Sequence, residues 1–240
     1  DPEAWSLRWY RNMIGDCSAE VVSSTVPCST KWMKGTVNSF YIGIIATFIA
    51  TVLGTMAALG LSRPHMPYKA LIMSILISPM IVPLIITAAG MFFFYARINL
   101  VYTFTGVILA HVALATPFVV ITVTATLVGF DMNMVKAAQS LGAKPMRTFF
   151  KVIMPLILPG IISGALFAFI TSFDEVVIVM FMASIDQLTI PKQMWAGIRQ
   201  EISPVILCMA TCLVILSIVL LTTVELLRRR AERLRGIKAR

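Results

Sequence analysis

The stretch Asp131-Met-Asn-Met-Val-Lys-Ala-Ala-Gln-Ser-Leu-Gly-Ala-Lys-Pro-Met-Arg-Thr-Phe-Phe-Lys-Val-Ile-Met-Pro-Leu-Ile-Leu-Pro159 has helix grammar and charge but no spanning hydrophobicity, and it sits between two very apolar blocks. Asp131 suits a helix N-cap, and Gly142 suits the left-handed residue that ends such a helix. Pro145 fits the first turn of a second short helix. On that helix Lys144, Arg147 and Lys151 follow at i, i+3, i+7, giving one basic face, with Met146, Phe149, Phe150 and Ile153 as apolar surface. Two short helices joined at a glycine, lying on a membrane surface, read as a docking element.

The flanking chain sets the class. Of 240 residues, 58% are hydrophobic and only 13% charged, about half the charge fraction of a soluble domain. The mean hydropathy is +0.89. Five apolar spans are expected, over 38–61, 70–94, 104–128, 156–182 and 204–227, each near the ~20 residues a helix needs to cross a bilayer. The fold class is therefore all-α and polytopic. Pro79, Pro83 and Pro117 fall inside spans and predict bends there. The organisation expected is an extracytoplasmic or interfacial segment at 1–37, a transmembrane domain at 38–227 with a cytoplasmic loop at 129–155, and a basic tail at 228–240.

The net charge of +9 is read as topology, because the basic residues lie in loops and one tail and no nucleic-acid motif accompanies them. With the N-terminus outside, 13 Lys and Arg fall on the inner side and 7 on the outer, so the positive-inside rule favours N-out, C-in. That orientation puts the Gly142 loop in the cytoplasm. The tail is basic enough to attract anionic headgroups, and a stop-transfer flank is the simpler reading of it. In the first segment Trp5, Trp9, Tyr10 and Trp32 suit the membrane interface. Cys17 and Cys28 are a possible disulfide there; spacing leaves a bridge and two free thiols both open.

The loop resembles that of bacterial binding-protein-dependent ABC-importer permeases, whose pattern is Glu-Ala-Ala, three residues, Gly, nine residues, Ile-x-Leu-Pro. Ala137, Ala138, Gly142 and the run Val152-Ile-Met-Pro155 match that spacing, while Lys136 stands at the glutamate position. The resemblance implies that Lys136, Ala137, Ala138, Gly142, Lys144 and Arg147 couple to a separate ATP-hydrolysing subunit. It also implies a six-helix parent whose first helix precedes this sequence, so that five transmembrane helices remain here; a parent with five helices is the alternative. No Gly-rich phosphate loop occurs, so ATP and its Mg are expected on partner ATPase chains and no cofactor on this one.

Asp174 and Glu175 are the only acids expected well inside a span, where a carboxylate pairs, protonates or faces water. A cation pathway and a structural cap near the outer face are the two readings. Gly160, Gly164, Ala168 and Ser172 form a close-packing stripe, expected to meet a helix of a partner permease. The run Ser172-Phe-Asp-Glu175 and the segment from Leu188 to Pro204 resemble the second permease subunit of spermidine/putrescine importers. The implied partners are a related permease, two ATPases and a periplasmic binding protein, in a bacterial inner membrane. In that setting Lys192, Trp195, Arg199 and Glu201 would dock the binding protein; interfacial anchoring by Trp195 is the competing reading. Carboxylates suit polyamines because they attract flexible polycations.

Two other function classes bear on Asp174 and Glu175. An ion-coupled secondary transporter would use them for coupling and need no ATPase. An intramembrane hydrolase lacks a second intramembrane aspartate and any His-Glu-x-x-His. His111 is expected to be a packed, hydrogen-bonded histidine rather than a metal ligand, and Cys208 and Cys212 small hydrophobes in a helix interface.

Overall fold

The computed structural model describes residues 7–16, 30–63, 66–128, 133–200 and 203–234, with the backbone alone for Gln200 and 224–234. Among these residues every regular element is helical. In chain order they are α1 (Arg8–Met13), α2 (Lys31–Leu61), α3 (Lys69–Ile81), α4 (Leu84–Arg97), α5 (Phe104–Val128) and α6 (Asn133–Ser140). Then come α7 (Pro145–Thr148), α8 (Met154–Phe173), α9 (Val177–Met182), α10 (Ile190–Gln200) and α11 (Pro204–Leu234). A π turn, Phe149–Ile153, makes α7 and α8 one continuous helix, and a 3₁₀ turn, Ile185–Gln187, precedes α10. Cys17, Cys28, Asp131 and Glu201 lie outside the described residues.

Among the described residues four helices are long and apolar enough to cross a membrane: α2, α5, the continuous Pro145–Phe173 helix, and α11 over Pro204–Thr223. The span expected over 70–94 is a bent pair, with α3 and α4 bent by 103°, which makes a fifth span if the pair is taken as one. Pro83 is the cause: it disfavours helical backbone at the residue before it, and Val82 is extended at φ −70°, ψ 135°. Thirteen residues of α3 and fourteen of α4 rise only about 20 Å each, short of a ~30 Å hydrocarbon core. Pro79 and Pro117 stay inside their helices. One correction concerns the span expected over 156–182. The helix begins eleven residues earlier, at Pro145, and ends at Phe173, so Asp174 and Glu175 lie past its end.

The chain divides into two compact units. The first comprises 1–42, 95–107 and 173–240. Its core is Trp32, Ile190, Val205, Ile206 and Met209, with Trp9, Met13, Phe173, Met194 and Leu213 packed around them. These residues come from α1, α2, α10 and α11, with Phe173 from the end of α8, so the short α1 is seated by Trp9 and Met13. Thr103 caps α5, its hydroxyl accepting from Gly106 N–H at 3.0 Å and donating to Leu100 C=O at 2.7 Å.

The second unit comprises 43–94 and 108–172. Here α5 is the enclosed element: Ala110, Ala115, Val119, Val120 and Val123 have no exposed surface. Lipid tails are as apolar as these side chains, so close packing rather than escape from water holds helices together in a bilayer. The small-residue stripe of α8 serves that purpose, but against α5 of the same chain. A Cβ on Gly160 would meet Thr126, and one on Gly164 would fall 3.0 Å from the Val119 Cα and against the Thr122 hydroxyl. Ser172, at the last turn, bonds His111 Nδ1 at 2.8 Å. The stripe expected to meet a partner permease is thus occupied within the chain. His111 is packed and hydrogen-bonded as expected, at 1% exposure. Cys208 is buried and both it and Cys212 are free thiols.

Candidate functional site

The loop between α5 and α8 is built around Gly142. Ala143 N–H donates to Ala138 C=O at 3.0 Å, and Gly142 N–H to Gln139 C=O at 2.9 Å. These two bonds are the Schellman termination, and Gly142 has the left-handed φ of +81° that it requires. The Ala-Ala-x-x-x-Gly spacing thereby acquires a physical reason: Ala138 supplies the accepting carbonyl and Gly142 the backbone turn. Lys144 then caps α7 in an extended conformation, and Pro145 occupies the first helical position. α6 packs against α7 and the π turn, so the loop is a folded unit.

The second short helix departs from expectation in continuing directly into α8. Pro155 has no N–H, and its ring crowds the carbonyl four residues back, at Lys151, which lies in the π turn. Uniform helical spacing does not hold there, so Lys144, Arg147 and Lys151 do not form the regular i, i+3, i+7 face. All three are nonetheless exposed, as are Lys136, Ala137 and Gly142, while Ala138 is half-buried. Met146 and Phe150 stand out from the surface among them.

The acids occupy the break between α8 and α9. Asp174 is exposed. Glu175 is 7% exposed, and its Oε1 accepts from Ile178 N–H at 2.9 Å in the first turn of α9. At the other end of α9, Lys192 Nζ donates to the carbonyls of Val179 and Ala183, each at 3.2 Å. A carboxylate at the start of α9 and an ammonium at its end both complement the helix dipole. Burial pushes the Lys192 ammonium below the ordinary lysine range.

The connection from α9 to α10 is held by residues that sequence reasoning passed over. Asn38 Nδ2 donates to the carbonyls of Asp186 (2.7 Å) and Leu188 (2.9 Å). Ser39 Oγ accepts from Ile190 N–H at 2.9 Å. Lys34 pairs with Asp186 at 2.8 Å in an exposed ion pair. The signal was present in Asn38-Ser39, two polar residues opening an apolar run, but spacing gives no hint of partners some 150 positions away. α10 lays Met194 and Gly197 inward, with Gly197 against Ile206, and leaves Trp195 48% exposed with the Arg199 guanidinium 6.0 Å from its ring centroid. No cluster of metal-ligating side chains occurs among the described residues.

Helices of this pattern, with a capped loop inserted before the fourth apolar span, define a polytopic membrane domain. Residues 50–233 match the family described as "Binding-protein-dependent transport system inner membrane component", and the chain belongs to that family. It is a multi-pass inner-membrane permease component rather than an enzyme. Among its relatives is the spermidine/putrescine transport system permease protein PotC of Haemophilus influenzae, 29% identical over 228 residues, covering 95% of this chain and 84% of that protein. Another is the putrescine transport system permease protein PotI of Escherichia coli K12, 29% identical over 214 residues, covering 86% and 72%. The fold is shared with the inward-facing methionine ABC transporter MetNI, with a TM-score of 0.61 at 20% identity over 86% of this chain and 96% of that one.

Proposed function

We propose that this chain is the transmembrane subunit of an ATP-driven polyamine importer for putrescine or spermidine. The observation that carries the reading is its similarity to PotC along 95% of its length. The chain pairs with a related permease above two ATPase subunits, which bind ATP and Mg, and receives cargo from a periplasmic binding protein. Its segment before α2 and the α9–α10 region face the periplasm; the Gly142 loop and the tail face the cytoplasm, as the Lys and Arg distribution favours.

Closure of the ATPases moves residues 133–153, which the Schellman cap holds as one piece, and the continuous helix from Pro145 to Phe173 passes that motion across the membrane as a rigid body. Asp174 and Glu175, at the far end of that helix, attract the polycation. Exposed Asp174 meets it first, and Glu175 engages it when α9 shifts and frees the carboxylate. Trp195 and Arg199 on the outward stripe of α10, with Glu201 beyond, dock the binding protein. Lys192 supports that surface from beneath, because its ammonium is spent on α9.

Uptake of labelled putrescine and spermidine into proteoliposomes holding the full complex tests this, with the binding protein supplied at the outward face. Uptake should require ATP and this subunit, and fall with Asp174→Asn and Glu175→Gln. Uptake without ATP would overturn the importer reading. ATPase stimulation by another loaded binding protein, without polyamine uptake, would overturn the substrate alone.

A further inference from the structure

The break between α3 and α4 leaves an unequal set of backbone groups. Val82 N–H closes α3 by donating to Ser78 C=O at 3.0 Å. Pro83, next in line, has no N–H to give. The carbonyls of Pro79, Met80, Ile81 and Val82 therefore accept no hydrogen bond among the described residues. Across the break, Ile86 and Thr87 N–H both donate to Pro83 C=O, at 2.9 and 3.2 Å, so only Leu84 and Ile85 N–H are left over in that turn. Four acceptors stand against two donors. The other proline leaves no such gap: Pro79 costs Ile75 C=O its amide partner, and Ser78 Oγ takes that place, donating at 2.8 Å.

The break also lies at membrane depth. Between Lys69 and Arg97 the sequence holds no charged residue, and Val82 and Pro83 fall midway. With the 103° bend shared equally, two ~20 Å helices span about 25 Å end to end, close to a ~30 Å hydrocarbon core. No residue of α3 is buried, and Met80, Ile81 and Val82 are exposed. Non-helical backbone at this depth is stable only when buried in protein or set against a water-filled cavity. An apolar helix laid over the break would bring amides already bonded within itself, and so no donors for four carbonyls. Water and ammonium groups do bring them. The carbonyl end of a helix also carries partial negative charge, which favours a cation.

We propose that the carbonyls of residues 79–82 line the water-filled path of the importer and hold an ammonium group of the cargo in passage. The proposal rests on the importer reading and adds to it a site made without side-chain charge. Pro83 keeps the site open: any other residue there brings an N–H within reach of Pro79 C=O and lifts the restraint that holds Val82 extended.

The test uses the complete complex in nanodiscs, with native cysteines replaced by alanine and a single cysteine at position 75, 81 or 82. Modification by a cationic methanethiosulfonate needs water, because the thiolate is the reacting form. Ile75 and Ile81 are similarly exposed, at 62% and 75%, but Ile75 lies within the regular helix. Ile81→Cys and Val82→Cys should react about tenfold faster than Ile75→Cys. Putrescine should slow both several-fold, while succinate, an anion of similar length, should not. Pro83→Ala should raise KM for putrescine uptake about tenfold with a smaller effect on the maximal rate. Equal modification rates at all three positions set the break against lipid or dry protein and overturn the proposal. Fast modification that putrescine leaves unchanged, in a complex that imports putrescine, also overturns it and leaves the importer reading standing. A parent complex that imports no polyamine, yet is protected at 81 and 82 by tetramethylammonium, supports the cation site and overturns the polyamine cargo.

Discussion

Replacing Gly142 by alanine isolates one physical effect. A Cβ at Gly142 meets nothing within 4 Å, so the substitution causes no clash, yet φ is +81°. An L-residue with a Cβ pays roughly 1–2 kcal/mol to remain left-handed. At about 1.4 kcal/mol per factor of ten, that cost opens the cap on the order of 5- to 30-fold more often. The amides that report it are those of Gly142 and Ala143, bonded to Gln139 and Ala138. Hydrogen exchange of the purified protein in nanodiscs should quicken by that factor over 139–144 in Gly142→Ala. Asparagine visits the left-handed region more readily, so Gly142→Asn should stay near the parent. Gly60 also has open space around its Cβ position, but it lies within α2, so Gly60→Ala gains helix propensity of up to about 1 kcal/mol and slows local exchange. Exchange in Gly142→Ala equal to the parent, or Gly142→Asn as fast as Gly142→Ala, would refute the role given to the cap.

Three further outcomes follow from contacts within single units. Gly164→Val places branched carbons against Val119 and Thr122 and should cost about 1–3 kcal/mol by overpacking, read as a lower unfolding midpoint in detergent, while Gly90→Ala, with open space, should not. Ser172→Ala leaves both ring nitrogens of buried His111 without a partner, since Nε2 already lacks one, and should cost about 1–3 kcal/mol; the double variant with His111→Leu should recover part of that loss. Lys192→Met removes two charge-assisted bonds at the end of α9, at a cost of about 1–2 kcal/mol given partial exposure. The Lys192 ammonium is depressed in the folded chain, so the unfolded chain binds more protons and its contribution to stability rises with pH between the depressed value and the ordinary lysine value. That alkaline rise should be present in the parent and absent from Lys192→Met in thermal melts.

Much of the Gly142 loop was legible because its determinants are local. A Schellman termination involves six consecutive residues, and Pro145 at a helix start needs only its own fixed φ. The π turn was not legible: proline at 155 predicts trouble one turn upstream, but whether the helix breaks or widens depends on what continues beyond it. The acids were misplaced for a related reason. Hydropathy continues unbroken through Val176–Met182, so it carries the span past Phe173, whereas the backbone turns there and α9 begins anew after Glu175, whose carboxylate accepts from its first turn.

Composition, apolar run lengths and the Lys and Arg distribution determined a polytopic helical membrane chain, because the bilayer imposes length and polarity on each helix separately. The motif spacing around Gly142 determined a capped surface loop, because its hydrogen bonds close within a few residues. Only the tertiary structure decided that Gly160 and Gly164 pack on α5, that Asn38 and Ser39 fasten the segment from Asp186 to Ile190, and that Lys192 serves α9. Partners in those contacts lie up to about 150 positions apart or across a chain reversal, and no periodicity in sequence records which surfaces meet once the chain has folded.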